Sequence, residues 1–293
     1  MTPSLTSTPK PRSLFVFFAL AFGLSWAAWI PLALASRGQL VIPFDATLLT
    51  LLGVFGPCLA ALITAALFDG RAGLGDLLRR FLIWRVGLGW YLFALAWPVL
   101  LSLATTGLHV LFGGAAPDFA RPPFHQLYPL PPELKAVSPL AFLPAVFLQQ
   151  ILIGSSMGEE PGWRGYALPR LLGRFGPLWT SVLLGALWAV WHLPLSFTAG
   201  DAREGSFTVW MALGAIATAI LFTWLYQHTR GSLLLALLLH TSIAVTGLFL
   251  ASADAHPAVG ALLTCGVALL IAAASGWLRV TPGWTTPASR PTT

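Results

Sequence analysis

The sequence predicts an all-α fold, a polytopic transmembrane helical bundle of about eight membrane-spanning helices. Three observations carry that expectation. Hydrophobic residues make up 57% of the 293 and charged residues 9%, which leaves too little polar surface to coat a soluble globule of this size. The apolar residues gather in runs, each close to the ~20 residues that a helix needs to cross about 30 Å of hydrocarbon. The basic residues fall between those runs and favour alternate connections, as the positive-inside rule describes.

Residues 1–12, MTPSLTSTPKPR, are polar and Pro-rich and read as a disordered cytoplasmic tail. The apolar run 13–36 is too long for a signal-peptide core and has no clear cleavage pattern, so it is the first retained span. Further runs follow at 47–68, 89–113, 138–171, 175–198, 206–226, 231–252 and 257–278. Residues 13–280 thus form one integral-membrane helical domain, followed by a disordered tail over 281–293. Cys58 and Cys265 both lie within apolar runs, where a thiol acts as a small hydrophobe rather than half of a disulfide.

Two connections are longer than a turn. Residues 69–87, DGRAGLGDLLRRFLIWRVG, set Leu77, Leu78, Phe81, Leu82 and Trp84 among arginines. They read equally as a basic amphipathic helix on the cytoplasmic face or as a plain basic loop. Residues 113–137 carry prolines at 117, 122, 123, 129, 131 and 132 and read as an extended external loop in which helix is disfavoured.

With the amino terminus in the cytoplasm, twelve of the sixteen Lys and Arg residues face inward, and Arg37, Arg121, Lys135 and Arg203 face outward. Both termini are therefore expected inside. The net charge of +6 follows from this topology. The basic residues are dispersed between spans rather than gathered on one face, so no nucleic-acid partner is expected and the lipid bilayer is the evident one.

The chemistry points to the stretch GEEPGWRGYALPR, residues 158–170. An ionisable side chain at the middle of a bilayer helix costs roughly 2.5–3.5 kcal/mol on insertion scales, so such groups face protein or water and serve a function. Glu159 and Glu160 are the acids inside a span. The fourth run is too long for one straight crossing, and Pro161 with Gly162 marks a kink that re-aims both side chains. Glu160 and Arg164 are four apart on one face and can pair; Glu159 points about 100° away and can take another partner.

His192 and His240 lie inside later spans at depths compatible with the acid pair, on the cytoplasmic half; His109 sits near the outer end of the third span and does not match. Two glutamates and two imidazoles in a membrane cavity can activate a water for hydrolysis, with a carboxylate as base and imidazoles orienting water or stabilising an oxyanion. A Glu with two His is equally a catalytic zinc set. Spacing leaves both schemes open. Trp163, Trp188 and Trp191 read as packing or interfacial residues, and Ser155 and Ser156 as packing hydroxyls before a kink.

These residues resemble the CPBP (CAAX protease and bacteriocin-processing, or Abi) family of intramembrane proteases, which includes the type II CAAX prenyl endopeptidase. The motifs are EEPGWR, with Glu159, Glu160 and Arg164; WAVWH, ending at His192 and with Trp188 where Phe is usual; and a His at 240. Four residues after His240 the family has Asn or Asp, and this chain has Ala244. The resemblance covers about residues 140–248 and implies a protease-like core at about 138–252 and an eight-helix bundle.

It implies that Glu159 activates water, that Glu160, Arg164 and Trp188 support it, and that His192 and His240 stabilise the oxyanion. In the alternative scheme, Glu159, His192 and His240 hold one divalent metal, zinc by preference. It further implies a membrane-embedded or lipidated peptide substrate and a bacterial cytoplasmic membrane. Two other functions compete. One is a catalytically impaired relative that acts by binding, as an immunity or scaffold protein, which Ala244 favours. The other is a proton-coupled transporter, which would show a second broken helix in the other half of the chain; no counterpart of EEPG is found.

Overall fold

The structure is a computed structural model that describes residues 11–119, 121–128, 130–134, 136–201, 203–251 and 255–279. The expected disordered tails lie outside these residues, except that Pro11 and Arg12 already belong to the first helix. The described residues are helical with no strand, and seven stretches are long and apolar enough to cross a membrane. One of these, Pro139–Phe197, is 59 residues long. It doubles back at Gly176, whose φ of 67° suits glycine, and the ring of Trp163 meets that of Trp191 with centroids 5.7 Å apart. Seven stretches therefore make eight crossings, and the protein is an integral-membrane helical bundle.

The first crossing is α1, Pro11–Ser36. The second is broken. Helix α2, Ala46–Val54, starts on the Asp45 carboxylate, which accepts from the N–H groups of Thr47 and Leu48; the same bonds hold that acid below the ordinary carboxylate range. Helix α3, Gly56–Arg79, follows after Phe55. Pro57 has no N–H to give the Gly53 carbonyl four residues back, and Ser25 Oγ on α1 donates to that carbonyl instead, at 2.6 Å.

Helix α3 turns at Gly70, with φ 62°, and continues past the arginines into a 3-10 turn, Arg80–Leu82. Of the two readings of this connection, the amphipathic helix is the one formed. Leu77 is buried, while Leu78 and Leu82 are exposed. Helix α4, Leu88–Leu111, follows. The external loop departs from expectation, because it contains a helical turn, α5, Phe124–Leu127, and a 3-10 turn, Pro132–Leu134. Burial overrides the proline content there: Phe124 is 1% exposed and stacks on Tyr128, Phe142 and Phe249.

Helix α6, Leu143–Ile153, ends at Gly154, which is extended with φ −96° and ψ −161°. Helix α7, Ser155–Glu160, then passes into a π-helical stretch, Pro161–Ala167. Such a widened turn is rare and concentrates at functional sites. Two glycines let it lie against the α2–α3 break. A Cβ at Gly158 would sit 2.6 Å from the Val54 carbonyl oxygen, and one at Gly162 2.5 Å from that of Pro57, as small residues permit where helices approach closely.

The remaining helices are α8, Leu168–Trp191, α9, Val209–His228, α10, Leu233–Leu250, and α11, Pro257–Ala274. The second half of α8 runs along α9, where a Cβ on Gly185 would meet Ile216 Cα at 2.5 Å and Ser181 Oγ donates to Thr223 Oγ1 at 2.7 Å. Helix α10 is buried between α4, α6 and α7.

Candidate active site

The widened turn aims two neighbouring acids at different helices. Glu160 is fully buried and turns toward α10, where its Oε1 accepts from Arg164 Nη1 at 2.8 Å and from His240 Nδ1 at 2.6 Å. Its partner Arg164 is 1% exposed, and its guanidinium also lies over the rings of Phe222, at 3.8 Å, and Trp188, at 4.8 Å. Stacking on aromatic faces offsets part of the cost of holding a cation away from water. The i, i+4 pairing expected of Glu160 and Arg164 is formed.

Glu159 is 2% exposed and faces α8 and α10. Its Oε2 accepts from the indole Nε1 of Trp188 at 2.6 Å, and its Oε1 lies 4.0 Å from His240 Nε2. That separation is too long for a direct hydrogen bond and suits one shared water. His240 is thereby anchored through Nδ1 by Glu160. Because the partner of Nδ1 is a carboxylate, Nδ1 carries a proton and donates, and Nε2 is directed at Glu159.

His192 caps the carboxyl end of α8. Its Nδ1 bonds the Trp188 carbonyl oxygen at 2.9 Å, and since a carbonyl only accepts, Nδ1 is the donor and the neutral ring keeps Nε2 as an acceptor. The ring stands beside Trp188, with centroids 5.6 Å apart, and Trp188 in turn touches the His240 ring at 5.9 Å. Glu159, Glu160, Arg164, Trp188 and His240 are thus gathered into one cluster, with His192 at its edge. His109 lies apart, near the end of α4, as expected.

Trp188 reads as a packing residue from its apolar surroundings and as a supporting residue from the resemblance, and its hydrogen bond to Glu159 suits the second. Trp163 and Trp191 are fully buried in an aromatic layer with Phe17 and Trp29, but Trp188 is the direct hydrogen-bond partner of the acid. The signal lay in its spacing, since it precedes His192 by one helical turn on the same face. Phe222, which covers Arg164, gave no sign in the sequence. Replacing Trp188 by Phe keeps a ring but removes the donor. A hydrogen bond to a charged group contributes about 1.5–3 kcal/mol, so Trp188→Phe is expected to lower kcat by roughly 10- to 100-fold at unchanged KM. An unaltered kcat would show that the indole does not position Glu159.

The hydroxyls next to the site hold helices together. Ser156 Oγ and Thr241 Oγ1 share a hydrogen bond of 2.7 Å that ties α7 to α10. Thr241 is therefore occupied and does not replace the amide or carboxylate that the resemblance places at 244. Ala244 lies one turn on from His240 and lines a groove of about 810 Å³ with Gly154, Ser155, Gln149, Gln150 and Thr50, a size within the usual range of ligand sites.

The groove opens between the ends of α1 and α8, on the face away from Pro11 and Arg279, the first and last of the described residues. A cytoplasmic-facing groove and cytoplasmic Pro11 and Arg279 therefore do not go together in this fold.

Among the described residues, no three His, Cys, Asp or Glu side chains gather closely enough to hold an ion. Glu159 Oε1 and His240 Nε2 face each other, but His192 does not close on them as a third ligand. As placed, the donors do not fit the three-ligand zinc centre, and no step below is routed through a metal.

Comparison with known proteins bears on this same region. Residues 139–246 match the family model described as type II CAAX prenyl endopeptidase Rce1-like. The chain is also similar to a protein of Methanococcus maripaludis named CAAX prenyl protease 2, with 32% identity over 139 residues, which is 45% of this chain and 49% of that protein. It spans about half the length of this curated relative. The matched stretch holds all of Glu159, Glu160, Arg164, Trp188, His192 and His240, and it ends on the helix that brings His240 to the acid pair. The helices that build this site are thus similar to those of the Rce1-like type II CAAX prenyl endopeptidases.

Proposed function

We propose that the protein is an intramembrane endopeptidase that hydrolyses a peptide bond of a membrane-associated or lipidated substrate with a glutamate-activated water. The observation that carries this reading is the 4.0 Å gap between Glu159 Oε1 and His240 Nε2, two buried groups whose other polar atoms are oriented by Trp188 and Glu160. A water in that gap donates one proton to Glu159 Oε1 as its oxygen attacks the scissile carbonyl carbon. The carbonyl π pair moves onto oxygen, and the resulting oxyanion is met by His240, which Glu160 and Arg164 hold in place. Glu159 then passes the proton to the leaving amine as the C–N bond breaks. His192 Nε2, an acceptor, orients the water.

The reading is supported by the family of residues 139–246 and by the name of the archaeal relative. The protein sits in a bacterial cytoplasmic membrane with both termini in the cytoplasm, as the basic residues favour.

One observation favours a second reading, in which the protein binds a membrane partner without cleaving it. Ala244 offers no polar group beside His240, and Thr241 is engaged by Ser156. A lost oxyanion donor costs about 10²–10³ in rate.

Cleavage of a membrane-peptide library by the purified full chain separates the two. Wild type is expected to cleave, His240→Ala and His192→Ala to lose most activity, and Ala244→Asn to gain. Inert wild type with active Ala244→Asn would favour the binding reading, and activity surviving in both His variants would remove the assignment. Chelation with metal analysis of the same samples tests the zinc alternative: full activity in metal-free protein is expected, and loss restored by zinc would overturn the metal-free scheme.

A further inference from the structure

A hydroxyl on a membrane helix ordinarily donates to the carbonyl one turn back, because an unpaired polar group in hydrocarbon is costly. Thr64, Ser181, Thr223, Thr229 and Thr264 do so, on the carbonyls of Ala60, Pro177, Ala219, Leu225 and Gly260 at 2.6–2.9 Å. Five others do not. Ser102, Thr105 and Thr106 on α4, Thr218 on α9 and Thr246 on α10 have no hydrogen-bond partner among the described residues, and all five line one cavity of about 280 Å³ between α4, α9, α10 and α11. Thr106 and Thr246 are only 8% and 7% exposed.

The cavity is polar at one end and apolar at the other. Helices α4 and α10 run side by side in the same direction, since Ser232 Oγ donates to the Ile83 carbonyl at 2.6 Å and Ser242 Oγ to that of Leu95 at 2.9 Å. Trp97, Leu239 and Ile243 therefore lie deep, with Leu221 of α9. Ser102, Thr105 and Thr106 lie toward the helix ends, where His256 and Gly260 of α11 complete the wall. The lining follows α10 from Leu239 to Ala251, a rise of about 18 Å. At the polar end His256 Nδ1 accepts from the Ala258 N–H at 3.2 Å, so the ring proton is on Nε2 and is free to be donated. Neither Glu159, Glu160, His192 nor His240 lines this cavity, which makes it distinct from the acid cluster.

We propose that this cavity is a binding site for one free fatty acid, with its chain among Trp97, Leu221, Leu239 and Ile243 and its carboxyl group accepting from His256 Nε2 and the α4 hydroxyls. The unpaired donors gather at one end and the apolar side chains at the other, which is the polarity of a single-chain acid. The volume lies at the small end of ligand sites and admits one chain rather than the two chains and headgroup of a phospholipid. Leu221 and Leu239, at the deep end, directly precede Phe222, which covers Arg164, and His240, so the bound chain would rest against the back of the acid cluster. The assignment does not depend on the hydrolytic reading, since it holds for an active enzyme and for a binding protein alike.

The test incubates the purified full chain in detergent with dodecanoic acid or with phosphatidylglycerol and counts adducts by native mass spectrometry. One dodecanoic acid per chain is expected, retained in preference to phosphatidylglycerol. Gly247 lines the cavity, and a Cβ there meets no atom within 4 Å, so Gly247→Leu is expected to fill the space and remove the adduct with an unchanged melt. Thr246→Val keeps the shape and drops the hydroxyl, and is expected to weaken binding about fivefold, the loss of one hydrogen bond. His256→Ala is expected to weaken binding of the acid roughly tenfold, as for a bond to a charged group, and to leave binding of dodecan-1-ol little changed. No adduct, an adduct that none of the three substitutions alters, or a preference for the two-chain lipid overturns the proposal. Should Gly247→Leu fail to fold, the Thr246→Val and His256→Ala measurements decide it.

Discussion

Glu159→Gln is expected to lower kcat for peptide cleavage by about 10²- to 10⁴-fold, the contribution of a positioned general base. The amide is isosteric with the carboxylate and still accepts from Trp188, so the bundle retains its packing and the loss falls on the chemical step. KM is expected to stay near its wild-type value, because Glu159 is 2% exposed and does not line the groove. Steady-state cleavage of one peptide, with a thermal melt of the same detergent-solubilised samples, checks this. A variant that retains most of the wild-type rate with an unchanged melt would mean that another group activates the water.

The largest expected loss of stability comes from Arg164→Met. Glu160 and Arg164 are 0% and 1% exposed, and Glu160 Oε1 is shared between the guanidinium and His240. Removing one partner of a buried ion pair leaves an uncompensated charge and costs about 3–5 kcal/mol, whereas replacing both partners by neutral groups costs far less. The double variant Glu160→Gln with Arg164→Met is therefore expected to melt well above the single Arg164→Met variant while remaining slow, because His240 has lost its anchor. A double variant no more stable than the single one would show that Arg164 contributes through its stacking on Phe222 and Trp188 rather than through charge.

Much of this was legible because membrane insertion is a strict filter on sequence. Apolar runs of about 20 residues can only be spans or buried helices, and the eight crossings follow from them. An acid pair inside a span is costly enough to stand out, and the i, i+4 rule alone links Glu160 to Arg164. The EEPGWR motif marks this helix as the one that carries the candidate site.

Other features were not legible, each for a physical reason. The turn at Phe124 forms because tertiary burial outweighs the local preference of a Pro-rich loop. Whether residues 69–87 form a helix or a loop is undecided in sequence, because an amphipathic pattern needs a neighbour to bury its face; here Leu77 packs against Gly165. That Trp188 bonds Glu159 directly depends on the reversal at Gly176, which brings the second half of α8 back to the acid pair.

The number of spans, the chain's bias across the bilayer and the identity of the acids were set by the order of residues, because hydrophobic length, charge placement and the cost of a buried carboxylate are local properties. Which imidazole meets which carboxylate, the position of His192 at the edge of the cluster, and the face on which the groove opens were decided only by tertiary packing. Each depends on the widened turn at Pro161–Ala167 and on the contact of α7 with α10. A sequence specifies how deep a residue lies along its helix, but the rotation of that helix about its axis is chosen by the neighbours it packs against.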